Sequence, residues 1–454
     1  MRTHALPLLG LVALLASAGC NKVTVEEGEV PDLEPFAKSF QANFSMYGMS
    51  LASGPQGDIL VGGIYSESTD LGGGALHADV ASGQAVFIAH LDKDGNHLFS
   101  GSTGYNDTLT AAAIGPEGDL YVAGSYDGAI NFGTGKLTGY KNGYLAAFQP
   151  GGASDFSMAL GGEAEDWLDD IAVSPAGNIV VAARAGDDAD FGGGPVVDTY
   201  SDKDGVVAMY DREGGFLWEV RIPGAVGMPL SVASDEAGNV VVAGRTYGDV
   251  QVGSLTAGAG SFIAKISAAG TPLWVQSTSS DSTWPELYDV AVGPDGSVYV
   301  AGAYYYGSFS IAGLPAEEAF DSETFWLRLS PEGKGLHLHQ LHSVNYYAPP
   351  QLAVAPNGEV VVGLTTYYPV DFGDGTLLGT GTDQNAVLAR FTPEGGYLRG
   401  LELEGTDREY VTDLAIDPNG NTVVLGWFTT QITIGGETLA FENGPPIFVA
   451  RLDF

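Results

Sequence analysis

The chemistry-bearing residues of this chain are few. His337, His339 and His342 form its only histidine group. Residues two apart on a strand share a face, so His337 and His339 could hold one metal ion. No third ligand is evident, and His337 falls in line with Trp218 and Trp274, which predicts a packing role instead. Asp92-Lys93-Asp94-Gly95 and Asp202-Lys203-Asp204-Gly205 begin like calcium loops but lack the glutamate that would close one. Plain turns are expected there, with Asp92 and Asp94 as weak metal candidates. The chain has no G-x-S-x-G, H-E-x-x-H, P-loop or dinucleotide fingerprint. Carboxylate pairs for glycoside chemistry could be drawn from acids such as Asp166 and Asp170.

Aromatic residues cluster beside these acids. One set of segments carries Asp166, Trp167 and Asp170, then Trp284, then Tyr346 and Tyr347; a second carries Tyr304, Tyr305 and Tyr306, then Tyr367 and Tyr368, then Trp427 and Phe428. Rigid aromatic faces flanked by acceptors suit sugar rings or a protein partner. The other reading is that these side chains finish a strand and pack inward.

The elements that position them repeat. Ser231 to Trp274 contains a short apolar strand, a glycine turn, the run Val240-Val241-Val242-Ala243-Gly244, a weaker segment from Val250 to Leu255, the strand Phe262-Ile263-Ala264-Lys265-Ile266, and a turn at Gly270 leading into Leu273-Trp274. Near-copies recur, with the first turn glycine at Gly57, Gly118, Gly177, Gly238, Gly296, Gly358 and Gly420, in steps of 58 to 62 residues. Runs of consecutive apolar residues read as strands covered on both faces. Seven four-stranded antiparallel units predict an all-β, seven-bladed β-propeller; a β-solenoid is the alternative. If the strand order holds, both aromatic segment sets lie on one face of the disc. Ser39 to Phe44 stands where other repeats have their last strand, and the seventh repeat ends at Phe454 without one. Residues 38–45 are therefore expected to complete the last blade and close the ring.

The pattern D/S-x-A-V-x-P-x-G-N-V-V-V-A-G followed by F-I-A-K/R-L-x-x-x-G-x-x-L-W resembles the repeats of bacterial lipoproteins with SBBP or NHL-like propellers, over roughly residues 38–454. The resemblance implies the fold and is nearly silent on activity.

Residues 1–19 read as a secretory signal: Arg2, an apolar run from Leu8 to Ala16, then small residues before Cys20. Ser17-Ala18-Gly19-Cys20 resembles a bacterial lipobox, which implies lipidation of Cys20; ordinary cleavage after Ala18, leaving a free thiol, is the alternative. With a single cysteine no intrachain disulfide forms. Residues 20–37, acidic and carrying Pro31 and Pro35, read as a tether. The 18 Lys and Arg against 56 Asp and Glu give a net charge of −38, which argues against nucleic acid and anionic membrane surfaces as partners. The expected protein is an exported, outer-membrane or cell-surface lipoprotein, monomeric and membrane-bound by its lipid alone. Its propeller would serve as a non-catalytic platform for a protein or glycan, without a cofactor. Two alternatives are a propeller glycan hydrolase or lyase using rim carboxylates and a calcium-stabilised envelope module.

Overall fold

The computed structural model describes residues 33–42, 49–78, 84–103, 107–195, 203–224, 229–280, 285–341, 348–381, 383–440 and 446–454. Cys20, Trp284, His342, Tyr346 and Tyr347 lie outside them. The described residues form seven four-stranded antiparallel sheets and no helix. Each innermost strand touches the innermost strands of both neighbours in an unbroken cycle, so the chain is a seven-bladed β-propeller.

Blade 3 shows how one unit is built. Its strands are Trp167–Val173, Ile179–Ala185, Asp204–Tyr210 and Phe216–Ile222, hydrogen-bonded in chain order from the axis outward. The second and third are buried at every position because blades cover both faces, which is why they read as unbroken apolar runs. At the first turn the seven recurrent glycines adopt φ between 76° and 88°, the left-handed region that closes a tight hairpin.

A second glycine set seals the blade-to-blade seams. Gly95, Gly152, Gly214, Gly270, Gly333 and Gly395 lie against Phe36, Phe99, Phe156, Trp218, Trp274 and His337 on the outer strand of the preceding blade, and an added Cβ would meet each ring at 2.2 to 3.1 Å. The Trp218 and Trp274 indoles also donate to Ala268 O and Pro331 O of the next blade, both at 2.9 Å. His337 thus occupies a seam, with the Trp326 and His339 rings tilted against it at centroid distances of 5.2 and 5.7 Å. Among the described residues, no group of three or more His, Cys, Asp or Glu is placed to hold a metal ion.

The last blade combines both chain ends. Glu409–Ile416, Thr422–Phe428 and Ile447–Leu452 come from the C-terminus, and Phe36–Ala42 pairs antiparallel with Ile447–Leu452, from Phe36 opposite Arg451 to Phe40 opposite Ile447. The closing strand is found where expected but starts two residues before residue 38, and residues 43–45 of the expected span lie outside the described residues. Leu33 is already buried, packed on Gly57.

The weak segment between the second and third strands becomes a hairpin of its own in blade 4, Val250–Val252 with Leu255–Ala257. Its counterparts in blades 1, 5 and 7 add to the outer strand of the preceding blade, through Gln41 opposite Asp70, Thr278 opposite Ile311 and Glu404 opposite Thr433. This pairing covers an otherwise open sheet edge.

Candidate functional site

The start of each innermost strand and the end of each second strand lie at one edge of the blade, as Trp167 opposite Arg184 shows. One face of the disc therefore carries both loop sets. At its centre is a cavity of about 890 Å³.

The floor of this cavity is drawn from one position per blade, seven residues before the first turn glycine: Ser50, Asp170, Ser231, Asp289, Gln351 and Asp413 line it, and Ala111 holds the equivalent position in blade 2. Five of the seven reach across the seam to the main chain of the next blade. Asp170 accepts from Val232 N at 2.8 Å, Asp289 from Leu352 N at 2.7 Å and Asp413 from Leu51 N at 2.6 Å. Ser50 Oγ accepts from Ala112 N at 3.0 Å, and Ser231 Oγ from Val290 N at 3.2 Å. Ala111 cannot do this, and there Asp170 turns its other oxygen onto its own neighbour, Ile171 N, at 2.8 Å. Ser231 also donates to Asp170, at 3.1 Å.

A β-bulge sets the height of these carboxyls. Pairing skips one residue between Leu109 and Ala111, Leu168 and Asp170, Leu287 and Asp289, and Val411 and Asp413. The extra residues, Thr110, Asp169, Tyr288 and Thr412, line the cavity above the floor.

Burial dominates the carboxyl chemistry. It pushes Asp170 up to about 7 against hydrogen bonds from Val232, Ile171 and Ser231, and it pushes Asp413 up to about 6 against those from Leu51 and Leu414. Asp289 is raised well above its ordinary value by burial, with the Asp413 and Asp170 charges adding to the effect. No ion pair with a Lys or Arg forms at any of the three among the described residues. At mildly acidic pH the floor is largely uncharged; by neutral pH Asp413 is mostly ionised and Asp170 about half so.

One wall holds the opposite arrangement. Arg184 forks onto Asp169 with contacts of 2.8 to 3.1 Å, and Leu230 N donates to the same carboxylate at 3.0 Å. Arg184 and Lys203 approach the Trp167 ring, at 4.7 and 5.1 Å from its centroid. Glu165 bridges Lys141 at 2.6 Å and Lys203 at 3.4 Å, and the Lys141 hydrogen bond holds its carboxyl below the usual range.

The aromatic candidates separate into two groups. Trp167, Tyr306, Tyr367 and Tyr368 stand 40 to 64 % exposed on the loop-bearing face, joined by Tyr247 of blade 4 at 54 %. Tyr306 stands at the end of the second strand of blade 5, and Tyr247, Tyr367 and Tyr368 just after those of blades 4 and 6, so the four form an arc over three consecutive blades. Tyr305 is half-buried. Tyr304 is not on the rim: its ring packs on Phe309 and Phe325 and its hydroxyl donates to Glu317 O at 2.8 Å. Regular alternation would put Tyr306 on the side of Tyr304, but the pairing skips from Tyr305 to Gly307 and Tyr306 takes φ 49°, which turns its ring outward.

The acids divide similarly. Asp166 is buried and accepts from Gly162 N and Gly186 N, both at 2.7 Å, tying two loops together, whereas Asp170 is part of the floor. Asp92 accepts from Asp94 N, Asn96 N and Asn96 Nδ2 at 2.7 to 3.0 Å within its own turn. Asp289, Asp413 and Arg184 were not expected at a site. Aligning the repeats on their turn glycines places Asp289 and Asp413 level with Asp170, so that signal was in the sequence. The placement of Arg184, Lys141 and Lys203 around one indole was not.

No family model and no curated protein matches the chain. Solved structures do. A Bacteroides caccae protein of unknown function is 14% identical over 70% of this chain and 89% of its own, with a TM-score of 0.38. A glucose dehydrogenase is 12% identical over 91% of this chain and 99% of its own, at 0.38. A puromycin hydrolase is 12% identical over 89% of this chain and 55% of its own, at 0.46. At these identities the likeness concerns the fold and leaves binding and catalysis undecided.

Proposed function

We propose that this chain is an exported lipoprotein, anchored by lipid on Cys20, whose propeller is a non-catalytic platform binding a glycan of the cell envelope. The observation that carries the binding reading is the set of five exposed aromatics on the face that surrounds the central cavity. Exposed tyrosine and tryptophan rings beside acceptors hold sugar rings by their C–H faces at low entropic cost. The commitment of Asp166 to loop backbone and of Asp170 to a blade seam favours binding over hydrolysis by those acids. The internal bonding of the Asp92 turn likewise favours a plain turn over a calcium loop. The platform works as a monomer.

The test is a glycan array probed with the exported chain and with a Tyr306→Ser/Tyr367→Ser/Tyr368→Ser variant. Tyr306 and Tyr368 are exposed and Tyr367 gives up one hydrogen bond from Gln384, so the variant is expected to stay folded with a slightly lower melting midpoint and to lose at least tenfold in capture. Equal capture by both would sink the proposal, and capture only of envelope proteins would reassign the partner class. Anchoring is checked by fractionation: Cys20→Ser is expected to move the protein from the membrane to the soluble fraction, and an unchanged distribution would remove the lipid from the account.

A further inference from the structure

We infer that the central cavity takes an uncharged, hydroxyl-rich ligand, the terminal neutral hexose of a glycan chain. This rests on the glycan-binding reading above and goes further, giving the face a specific seat at its axis.

The floor residues Ser50, Asp170, Ser231, Asp289, Gln351 and Asp413 are six side chains that donate or accept hydrogen bonds, gathered from six blades around one axis. Each seam bond occupies only part of its residue's bonding capacity, since a carboxyl or hydroxyl has further lone pairs and, when protonated, a proton to donate. A sugar, with a hydroxyl on nearly every carbon, matches a ring of mixed donors and acceptors. The walls supply the other half of the match. Met49, Pro229 and Pro349 line the cavity with accessible apolar surface, and Trp167 adds its exposed ring for the C–H groups of a sugar.

Charge selects against the other classes. The hydrogen bonds found at the three floor carboxyls come from main-chain N–H groups and from Ser50 and Ser231, with no lysine or arginine among them, and burial keeps these groups mostly protonated at pH 5.5. A cation entering the cavity would first have to displace those protons. An anion would find Arg184 and Lys141 already engaged by Asp169 and Glu165. The volume of about 890 Å³ lies within the ~300–1,000 Å³ common for small-ligand sites.

The experiment is titration calorimetry of the exported chain at pH 5.5 with methyl glucoside, methyl galactoside, glucuronate and calcium chloride. A neutral methyl glycoside is expected to bind in the millimolar range, with glucuronate and calcium at least tenfold weaker. Trp167→Ala and Gln351→Ala, one on the wall and one on the floor, should each weaken the glycoside at least tenfold while the melting midpoint stays unchanged. Glucuronate binding as tightly as the neutral glycoside would overturn the selection for an uncharged ligand, and calcium binding more tightly would make the floor a cation site. Failure of both methyl glycosides while tyrosine-dependent array capture persists would overturn the axial seat alone. Loss of both signals would remove the glycan reading as well.

Discussion

Arg451→Ala is expected to cost about 3–5 kcal/mol of stability, the range for breaking one partner out of a buried ion pair. Arg451 and Asp417 are both fully buried, with Nε 2.9 Å from the carboxylate. The same guanidinium donates to Gly57 O and Lys93 O of blade 1 and lies 5.3 Å from the centre of the Phe36 ring. One side chain therefore ties together the C-terminal strands of blade 7, its N-terminal outer strand and the neighbouring blade. Blade 7 also differs from the others. The chain steps from the outer strand of blade 7 to blade 1 as it does at the other six seams, but blade 7 itself is completed by pairing between chain ends. Truncation to alanine leaves Asp417 charged without its partner and two carbonyls without their donor. The control is Arg399→Ala, an exposed arginine 5.7 Å from the Phe454 ring, which is expected to change stability by less than about 0.5 kcal/mol. Equal urea midpoints for the two variants would show that closure does not depend on this residue.

Stability is expected to fall as the pH rises from about 4 to about 8, opposite to ordinary acid unfolding. The sign follows from the floor. Asp413 and Asp170 ionise near 3.8 when unfolded but near about 6 and about 7 when folded, so across that window the folded state holds protons that the unfolded state has released. Their contribution is fully present below the unfolded value and is lost as the pH passes the folded one. One step in pKa is worth about 1.4 kcal/mol, so Asp413 alone can account for about 3 kcal/mol. Glu409, pushed up to about 8 by burial, acts in the same direction. Asp235 and Asp295 act oppositely, since hydrogen bonds to Asn239 and Lys265, and to Ser297 and Arg328, outweigh their burial and hold them low. Their effect is confined to pH below about 4, so the two windows separate.

Self-repulsion in a chain of net charge −38 would also weaken the fold at high pH. The Asp170→Asn/Asp289→Asn/Asp413→Asn variant separates the two causes. Asparagine keeps an acceptor for the next blade's N–H, removes the titration and changes only 3 of 56 acids. It is expected to flatten most of the slope between pH 5 and pH 8 in thermal melts. A slope identical to the wild type would assign the effect to general repulsion.

The repeat period, the strand content of each unit, the ring and the strand that closes it were all legible in the amino-acid sequence. They rest on one-dimensional causes: a glycine that takes positive φ at a turn, and apolar runs that must be covered on both faces. Even the seam aromatics showed, because His337, Trp218 and Trp274 keep one register. The conserved register of Lys265, Arg328, Arg390 and Arg451 within the repeats was equally visible, but not that Arg451 would meet Gly57, 394 residues away along the chain. Convergence is what only the tertiary structure decided. Asp170, Asp289 and Asp413 are separated by well over a hundred residues and meet only because the ring brings every blade's innermost strand to one axis. Tyr304 and Tyr306 have the same side chain and lie two apart on one strand, yet the bulge at Tyr306 exposes that ring while Tyr304 stays buried. Local backbone preference and apolar pattern determine the unit; the closed ring determines which polar and aromatic groups share a space, and therefore where any ligand can sit.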